Sequence, residues 1–519
     1  MTVRAVRDEE RLPVLVGAGQ VLGNRDRTVA GAREPVRLIL DAVAAAASDA
    51  AGSGACRLLR DVDAIDVVNV ASWGYDDLPG VLAERLGAQP RHRFAAPVGG
   101  HRPAELLDRA AARVVAGESR VSLLVGGEAQ ASVVALAKAG VDPAGDLGWS
   151  AEPGGPPAFS PDELGSPAMR AAGLVLPTRV YPMFENALRH RLGDSPAQAA
   201  TWAADLYAAF SRVAADNPVA WNPEVRSAGE IATVGPGNRM VCEPYPLAVN
   251  AMPMVDQAAA VIVTSLAAAR EYGVPEDMIV YVWGGAGAVD SPDVLARPGF
   301  DRSPALESAL DRCLAAGGIP TDALDVVDVY SCFPVVPKLV AGHLGMSRSD
   351  VPSVTGGHSS FGGPLSSYSL HALVAVAGRL RTGARTALVH ANGGYLTHQH
   401  AVLLGRDPHP RGYIGDPEAV DTAAAAGPAP QLAPAAEGEM TVETATVEYG
   451  RDGEPAQAFL IARTADGRRF AASTPPGDAA SAQALSLYPD ALAEGPEDEV
   501  VGRKIRVSLT DGHATVDRI

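Results

Sequence analysis

The sequence predicts an α/β protein built on a parallel sheet with helices on both faces, followed by a small antiparallel β domain. Three observations carry that expectation. Short apolar runs that end in glycine alternate with helical segments, the pattern of strands buried on both faces. The tail beyond Met440 breaks instead into short alternating runs divided by Asp-Gly pairs, which are hairpin signals. At 519 residues, 47% of them hydrophobic, the chain is also too long for one ordinary core and apolar enough to bury several.

Leu12 to Gly19 reads as a buried strand, and Pro35 to Ala50 as a helix with proline in its first turn. Ala64 to Val70 is the next strand. His92 to Pro97 leads into the turn Gly99-Gly-His-Arg-Pro103, which opens a helix over Ala104 to Ala116, and Ser122 to Gly127 closes the unit. From about Lys138 to Asn250 the alternation gives way to Pro, Gly and Trp, with helical pieces at Phe184 to Leu192 and Pro196 to Ala214; this is an excursion out of the sheet. Strands return at Val255 to Thr264, Met278 to Gly284, Val326 to Phe333 and Thr386 to Asn392. The runs Val121 to Gly127 and Ala387 to Gly394 each follow a long helix and each contain a Gly-Gly pair, so the second series echoes the first as an internal duplication would. Asp416 to Gly438, rich in Ala, Pro and acidic residues, has the composition of a linker. Met440 to Tyr449, Ala456 to Thr464, Arg469 to Ser473, Val500 to Leu509 and His513 to Ile519 then read as the strands of a small barrel or sandwich, turning at Asp452-Gly453, Asp466-Gly467 and Asp511-Gly512.

One stretch concentrates the signs of a site. In Thr355-Gly-Gly-His-Ser-Ser-Phe-Gly-Gly-Pro-Leu-Ser-Ser-Tyr-Ser-Leu-His371 a glycine-dense polar loop runs into a helical pattern at Leu370, Leu373 and Val376. Glycines there allow positive φ and close backbone approach to a ligand, and the following helix turns its free N–H groups toward the loop.

Composition narrows the function. A formal charge of -18 opposes nucleic acid or an anionic membrane as main partner. The C-terminal domain, with Glu497, Asp498 and Glu499 and few aromatics, suits packing or contact with a partner protein better than oligonucleotide binding. Four scattered cysteines, Cys56, Cys242, Cys313 and Cys332, suit a reducing cytoplasm and lack the spacing of a metal site. The charged start of the chain does not read as a signal peptide, and no apolar run approaches the roughly 20 residues that span a bilayer. The expected location is cytoplasmic.

Several motifs in order carry a family resemblance. Asn238-Arg-Met-Val-Cys-Glu-Pro-Tyr-Pro-Leu-Ala-Val-Asn250 followed by Val255 to Ser265, with Asn217-Pro-Val-Ala-Trp221 before it, resembles the approach to the last strand of the first half of thiolases, above all those similar to sterol-carrier-protein thiolases. Asp328-Val-Tyr-Ser-Cys-Phe333 falls where that subfamily carries His-Asp-Cys-Phe. Gly362-Gly-Pro364 falls where thiolases carry Gly-His-Pro, and Ala391-Asn-Gly-Gly394 where they carry Cys-x-Gly. The resemblance covers about residues 10 to 407. It implies a duplicated thiolase fold, two five-stranded mixed sheets in αβαβα layering. Residues 1–277 would be the first half, with the excursion at about 138–250, and 278–415 the second half. A linker over 416–438 and an antiparallel β-barrel over 439–519 complete the expectation.

The same alignment removes the standard chemistry. Thiolases attack a thioester with a cysteine at the start of a buried helix. Here that position falls in Val98-Gly-Gly-His-Arg-Pro103, without a nucleophile; Gly363 replaces the motif histidine, and Ala391 the acid/base cysteine. The resemblance therefore implies a protein that handles acyl-CoA or another acyl thioester, similar to an acetyl-CoA acetyltransferase but without ordinary thiolysis or Claisen condensation. The alternative is a non-catalytic acyl-CoA-binding or scaffold subunit; on either reading a monomer or homodimer is expected, with the C-terminal barrel as a place for a partner protein. No tightly bound cofactor is expected; coenzyme A or an acyl thioester is the expected ligand.

Four side chains remain for chemistry: His358, His390, Cys332 and His101. A histidine near neutral pKa is the usual general base, and a cysteine beside it a nucleophile. Each has a structural reading too. Cys332 ends an apolar strand, where free cysteines are commonly buried and inert; His390 can bond a loop carbonyl, and His101 can be a polar residue beside a helix start. The expected pocket is lined by Gly99, Gly100, Phe333, Gly363, Asn392, Gly393 and Gly394, with the backbone of Gly393 and Gly394 and the Asn392 side chain placed for a thioester carbonyl and His358 nearest to donate or take a proton.

Overall fold

In the computed structural model, which describes residues 9–51, 54–157, 165–424, 426–488 and 499–518, the first apolar run is β1 (Pro13–Leu22), and α1 (Pro35–Ala51) lies directly on it. Glycine makes that approach possible. A Cβ on Gly17 would stand 2.4 Å from the Ala46 carbonyl oxygen, and one on Gly19 2.3 Å from that of Ala42. The chain continues through α2 (Ala55–Arg60), β2 (Ala64–Val67), α3 (Leu78–Leu86), β3 (His92–Ala95), α4 (Arg102–Ala116) and β4 (Val121–Ala129). The excursion is more helical than its composition suggests, with α5 (Gln130–Ala139), α6 (Pro143–Leu147), α7 (Pro167–Ala171), α8 (Pro177–Leu192), α9 (Pro196–Ala215) and α10 (Ala228–Ala232). Two short strands follow, β5 (Met240–Cys242) and β6 (Tyr245–Pro246), and β7 (Asp256–Ser265) returns to the sheet.

The second half comprises α11 (Leu266–Glu271), β8 (Val280–Val289), α12 (Pro304–Gly317), β9 (Val326–Val329), α13 (Val335–His343), α14 (Tyr368–Arg381), β10 (Thr386–Gly393) and β11 (His398–Gly405). Strand order is β3-β2-β4-β7-β1 in the first half and β9-β10-β11-β8 in the second. The duplication is visible in this order. A parallel pair (β2–β4, β9–β10) is followed by two antiparallel pairs (β4–β7 and β7–β1, β10–β11 and β11–β8). Among the described residues the two half-sheets are hydrogen-bonded to each other where Val14 and Leu15 meet Tyr281 and Val280.

Helices α4 and α14 lie between the half-sheets: Leu107, Ala111, Leu370 and Val376 share one core with Leu124 and Val261 of the first half and Val389 and Val402 of the second. On the outside, α1 covers the first half-sheet and α12 the second. This is the αβαβα layering. The fifth strand of the second half, however, is β12 (Asp416–Asp421), which pairs parallel with β8 and comes from the segment expected to be linker. Its side chains stay largely in water, so no apolar alternation marks it in the sequence. The rest of that segment is also held: Ala433 N–H bonds the Arg469 carbonyl at 2.7 Å, and Arg469 N–H that of Gln431 at 2.8 Å.

The tail forms β13 (Gly438–Tyr449), β14 (Pro455–Thr464), β15 (Arg469–Ser473), α15 (Ala479–Ala484), β16 (Lys504–Thr510) and β17 (His513–Arg518), ordered β15-β14-β13-β16-β17 and all antiparallel. The hairpins turn at the three Asp-Gly pairs. Among the described residues the strands do not close into a barrel. Strands β15 and β17 end the order, linked by Ser473 Oγ to His513 Nδ1 at 3.3 Å, while α15 packs on β14 and β17. The sheet extends instead to the excursion, through β5 on β13. Of the acidic run at its end, Glu497 and Asp498 lie outside the described residues. Among the described residues no helix is long and apolar enough to cross a membrane.

Candidate functional site

The glycine-dense stretch folds as one wide turn over Gly357–Phe361, with Gly356, Gly357 and Gly362 at positive φ; α14 starts only at Tyr368. The neighbour that requires glycine is the protein itself. A Cβ on Gly356 would lie 2.6 Å from Ala214, and one on Gly357 2.6 Å from the Phe210 ring, both on α9. Gly363, expected to line a pocket, is buried against Met252, whose carbonyl takes its N–H at 2.9 Å.

The remaining candidates gather around β10, on its two faces. Successive strand residues point to opposite sides, so Ala391 and Gly393 face the central helices while His390 and Asn392 face away from them. On the first side stands the turn before α4. Gly99 donates its N–H to Ser366 Oγ at 3.0 Å. A Cβ on Gly100 would meet the Tyr330 hydroxyl at 2.3 Å and the Asn392 carbonyl oxygen at 2.6 Å, and one on Gly393 would meet His101 Nδ1 at 2.3 Å. His101 is the N-cap residue of α4 but makes no side-chain cap; its ring stacks on His398, centroids 4.7 Å apart. Burial, with Arg102 and His398 nearby, pushes its pKa well below the ordinary range. A side chain at Gly100 is thus excluded by Tyr330 and by the backbone of β10.

On the opposite face a hydrogen-bond chain has a definite direction. The Gly394 carbonyl can only accept, so the Tyr181 hydroxyl donates to it, at 2.6 Å. Asn392 Nδ2 donates to Tyr181 at 2.9 Å, Gln399 Nε2 donates to Asn392 Oδ1 at 2.7 Å, and His390 Nε2 stands 2.9 Å from Gln399 Oε1. Both ends of the Asn392 amide are therefore engaged within the protein. Phe333 stacks on Tyr181 at 4.6 Å and lies 6.0 Å from Tyr245. Cys332 Sγ is 4.0 Å from Asn392 Nδ2, and burial pushes its thiol up to about 12, far from a thiolate nucleophile.

His358 forms a third group, its ring stacked on Tyr368 at 3.5 Å and edge-on to Tyr330 at 4.3 Å. Ser331 N–H, which can only donate, lies 3.3 Å from Nδ1, so the neutral ring carries its proton on Nε2. Burial holds its pKa well below the ordinary value. Of the two roles expected for it, donor or base, this tautomer presents the N–H donor on Nε2. His390 is likewise neutral, its pKa lowered to about 4 chiefly by burial.

Tyr330, Tyr181, Gln399 and His398 are absent from the sequence-based set. Tyr330 lies within Asp328-Val-Tyr-Ser-Cys-Phe333 and is legible there; Gln399 becomes visible only once β10 and β11 pair, and Tyr181 only once α8 docks. His400 also has a contact, 3.2 Å from Asp108 Oδ2 on α4. Among the described residues no cluster of three or more His, Cys, Asp or Glu is arranged to hold a metal. Surface cavities of about 640 Å³ beside Trp202 and Arg348 and of about 440 Å³ beside Asn69 and Trp73 lie away from these groups.

Comparison with known proteins agrees with this architecture. Residues 419–512 match the family described as the thiolase-like protein type 1 additional C-terminal domain. The chain is similar to the crystal structure of a monomeric SCP2-thiolase-like protein type 1 from Mycobacterium smegmatis, at 29% identity and a TM-score of 0.77 over 98% of this chain and 100% of that one. The dimeric peroxisomal thiolase of Saccharomyces cerevisiae (13% identity, TM-score 0.55, 78% of this chain and 99% of that one) and human mitochondrial 3-ketoacyl-CoA thiolase (17%, 0.53, 76% and 99%) share the fold. No curated protein sequence matches the chain.

Proposed function

Because the chain is a thiolase-superfamily protein that carries the type 1 C-terminal domain, we propose that it handles an acyl thioester, of coenzyme A or of another carrier, without forming an acyl-enzyme. One observation carries this reading: Gly100 and the Tyr330 hydroxyl leave no room for a nucleophilic side chain at the start of α4. What remains for a bound thioester is hydrogen-bonding chemistry, a donor at His358 Nε2 and an acceptor at His390 Nδ1, with cytoplasmic acyl-CoA as the ligand class. A second reading, a non-catalytic binding or scaffold subunit, is supported by burial: His101, Cys332, His358 and His390 are each at most 9% exposed.

Incubation with acetyl-CoA and 3-ketoacyl-CoA tests both. The expected results are no acyl adduct by intact-protein mass spectrometry, no thiolysis above background, and binding by calorimetry. A covalent adduct would overturn the non-covalent reading; no binding across several chain lengths would overturn the thioester reading altogether.

A further inference from the structure

Helix α8 has two working sides. Toward the C-terminal sheet, Arg179 holds Glu448 at 2.8 Å, the Met183 carbonyl accepts from Thr444 Oγ1 at 2.7 Å, and Asn186 Nδ2 donates to the Ala445 carbonyl at 2.8 Å. All three partners are on β13, and residues 179, 183 and 186 share one helical face. At 100° per residue Tyr181 stands nearly opposite Met183, and with Glu185 one turn later it faces the α/β body. Glu185 is itself fixed there by Lys338 Nζ at 2.5 Å and the Tyr245 hydroxyl at 2.7 Å. The helix therefore carries the grip of the C-terminal domain to one hydroxyl beside β10.

We propose that Tyr181, held in place by the C-terminal sheet through α8, is the positioning residue that sets the tautomer of His390, leaving its Nδ1 lone pair for a hydrogen-bond donor of the ligand. The chain of contacts dictates this. Tyr181 gives its only proton to the Gly394 carbonyl, so it can only accept from Asn392; that turns Asn392 Oδ1 to Gln399 Nε2, and Gln399 Oε1 then takes a proton from His390 Nε2. Nδ1 of His390, buried, has no hydrogen-bond partner among the described residues. This inference rests on the thioester reading only in naming the ligand. It predicts a ligand with a hydroxyl or N–H group within reach of His390, as on a hydroxyacyl chain or a pantetheine amide.

The test is the tautomer itself, read by nitrogen-15 NMR of the histidine-labelled full chain, with the resonance assigned by its loss in His390→Gln. Wild type should show the proton on Nε2, unchanged from pH 6 to pH 8. Tyr181→Phe should mix the tautomers, because Asn392 and Gln399 can then reverse together, and should weaken acetyl-CoA binding tenfold or more. Thr444→Val should shift the tautomer ratio in the same direction by less. A wild-type proton on Nδ1, or a tautomer in folded Tyr181→Phe identical to wild type, would overturn the proposal. Should Tyr181→Phe fail to fold, the wild-type tautomer and Thr444→Val still decide it. Absence of acetyl-CoA binding to the wild type would remove the thioester reading, while the tautomer measurement judges the role of Tyr181 on its own.

Discussion

The two faces of β10 are filled in different ways. Toward the central helices the wall is made of glycines and is full: Gly100 touches Tyr330, and Gly393 touches His101. Away from them the wall is polar, and its polarity is committed, running from His390 through Gln399 and Asn392 to Tyr181. One face is closed to further side chains by steric occupation; the other keeps hydrogen-bonding groups whose orientation is set by a helix from the excursion. One strand can thus be closed by sterics on one side and by committed hydrogen bonds on the other.

The sharpest break of this comparison is at the root of the polar face. Lys338 and Glu185 are both buried and paired, and the ammonium also donates to the Ala199 carbonyl at 3.0 Å and faces the Trp202 ring. Lys338→Met leaves the carboxylate unpaired and should cost roughly 3–5 kcal/mol in chemical denaturation. A loss below about 1 kcal/mol would show that Glu185 readily takes up a proton and that α8 needs no such anchor.

On the glycine face, Gly100→Cys returns a thiol to the helix start but drives its Cβ into Tyr330 and the Asn392 carbonyl. The expected outcome is a destabilisation of about 3 kcal/mol without gain of thiolysis. A variant with wild-type melting temperature that forms an acyl adduct would show that the wall is open after all.

Between them lies a pH test of the polar chain. The folded pKa of His390, about 4, is below its unfolded value of 6.5, so the unfolded chain binds the extra proton first. Stability from this group is complete above pH 6.5 and is lost as pH falls toward 4. At pH 5 the loss is about 2 kcal/mol relative to pH 7.5, and His390→Gln should lack it. Equal acid sensitivity of wild type and variant, measured by thermal unfolding at both pH values, would place the depressed pKa elsewhere.

The smallest effect concerns Cys332. With its thiol held neutral by burial, iodoacetamide should label Cys56, which is exposed, and leave Cys332 unmodified in the folded protein. Native labelling of Cys332 would make it a reactive group on the polar face.

Much of this architecture is legible from residue order. Apolar runs closed by glycine mark β1, β4 and β10, Asp-Gly pairs mark the tail hairpins, and the motifs in their order identify the fold, because these signals are local and periodic. Strand β12 carries no apolar alternation because its side chains remain in water, and whether the edge strands β15 and β17 pair is a long-range matter that no local signal marks. The site is divided in the same way. Candidate residues such as His101, His358, His390 and Asn392 stand out by type and motif position, but which face of β10 each occupies depends on the alternation of a strand whose register is set by its neighbours. The direction of the hydrogen bonds, and with it the tautomers of His358 and His390, depends on Ser331, Gln399 and Tyr181, brought close from 27, 9 and 213 residues away from the groups they contact. No local pattern encodes contacts at such separations; only the packed layers decide them.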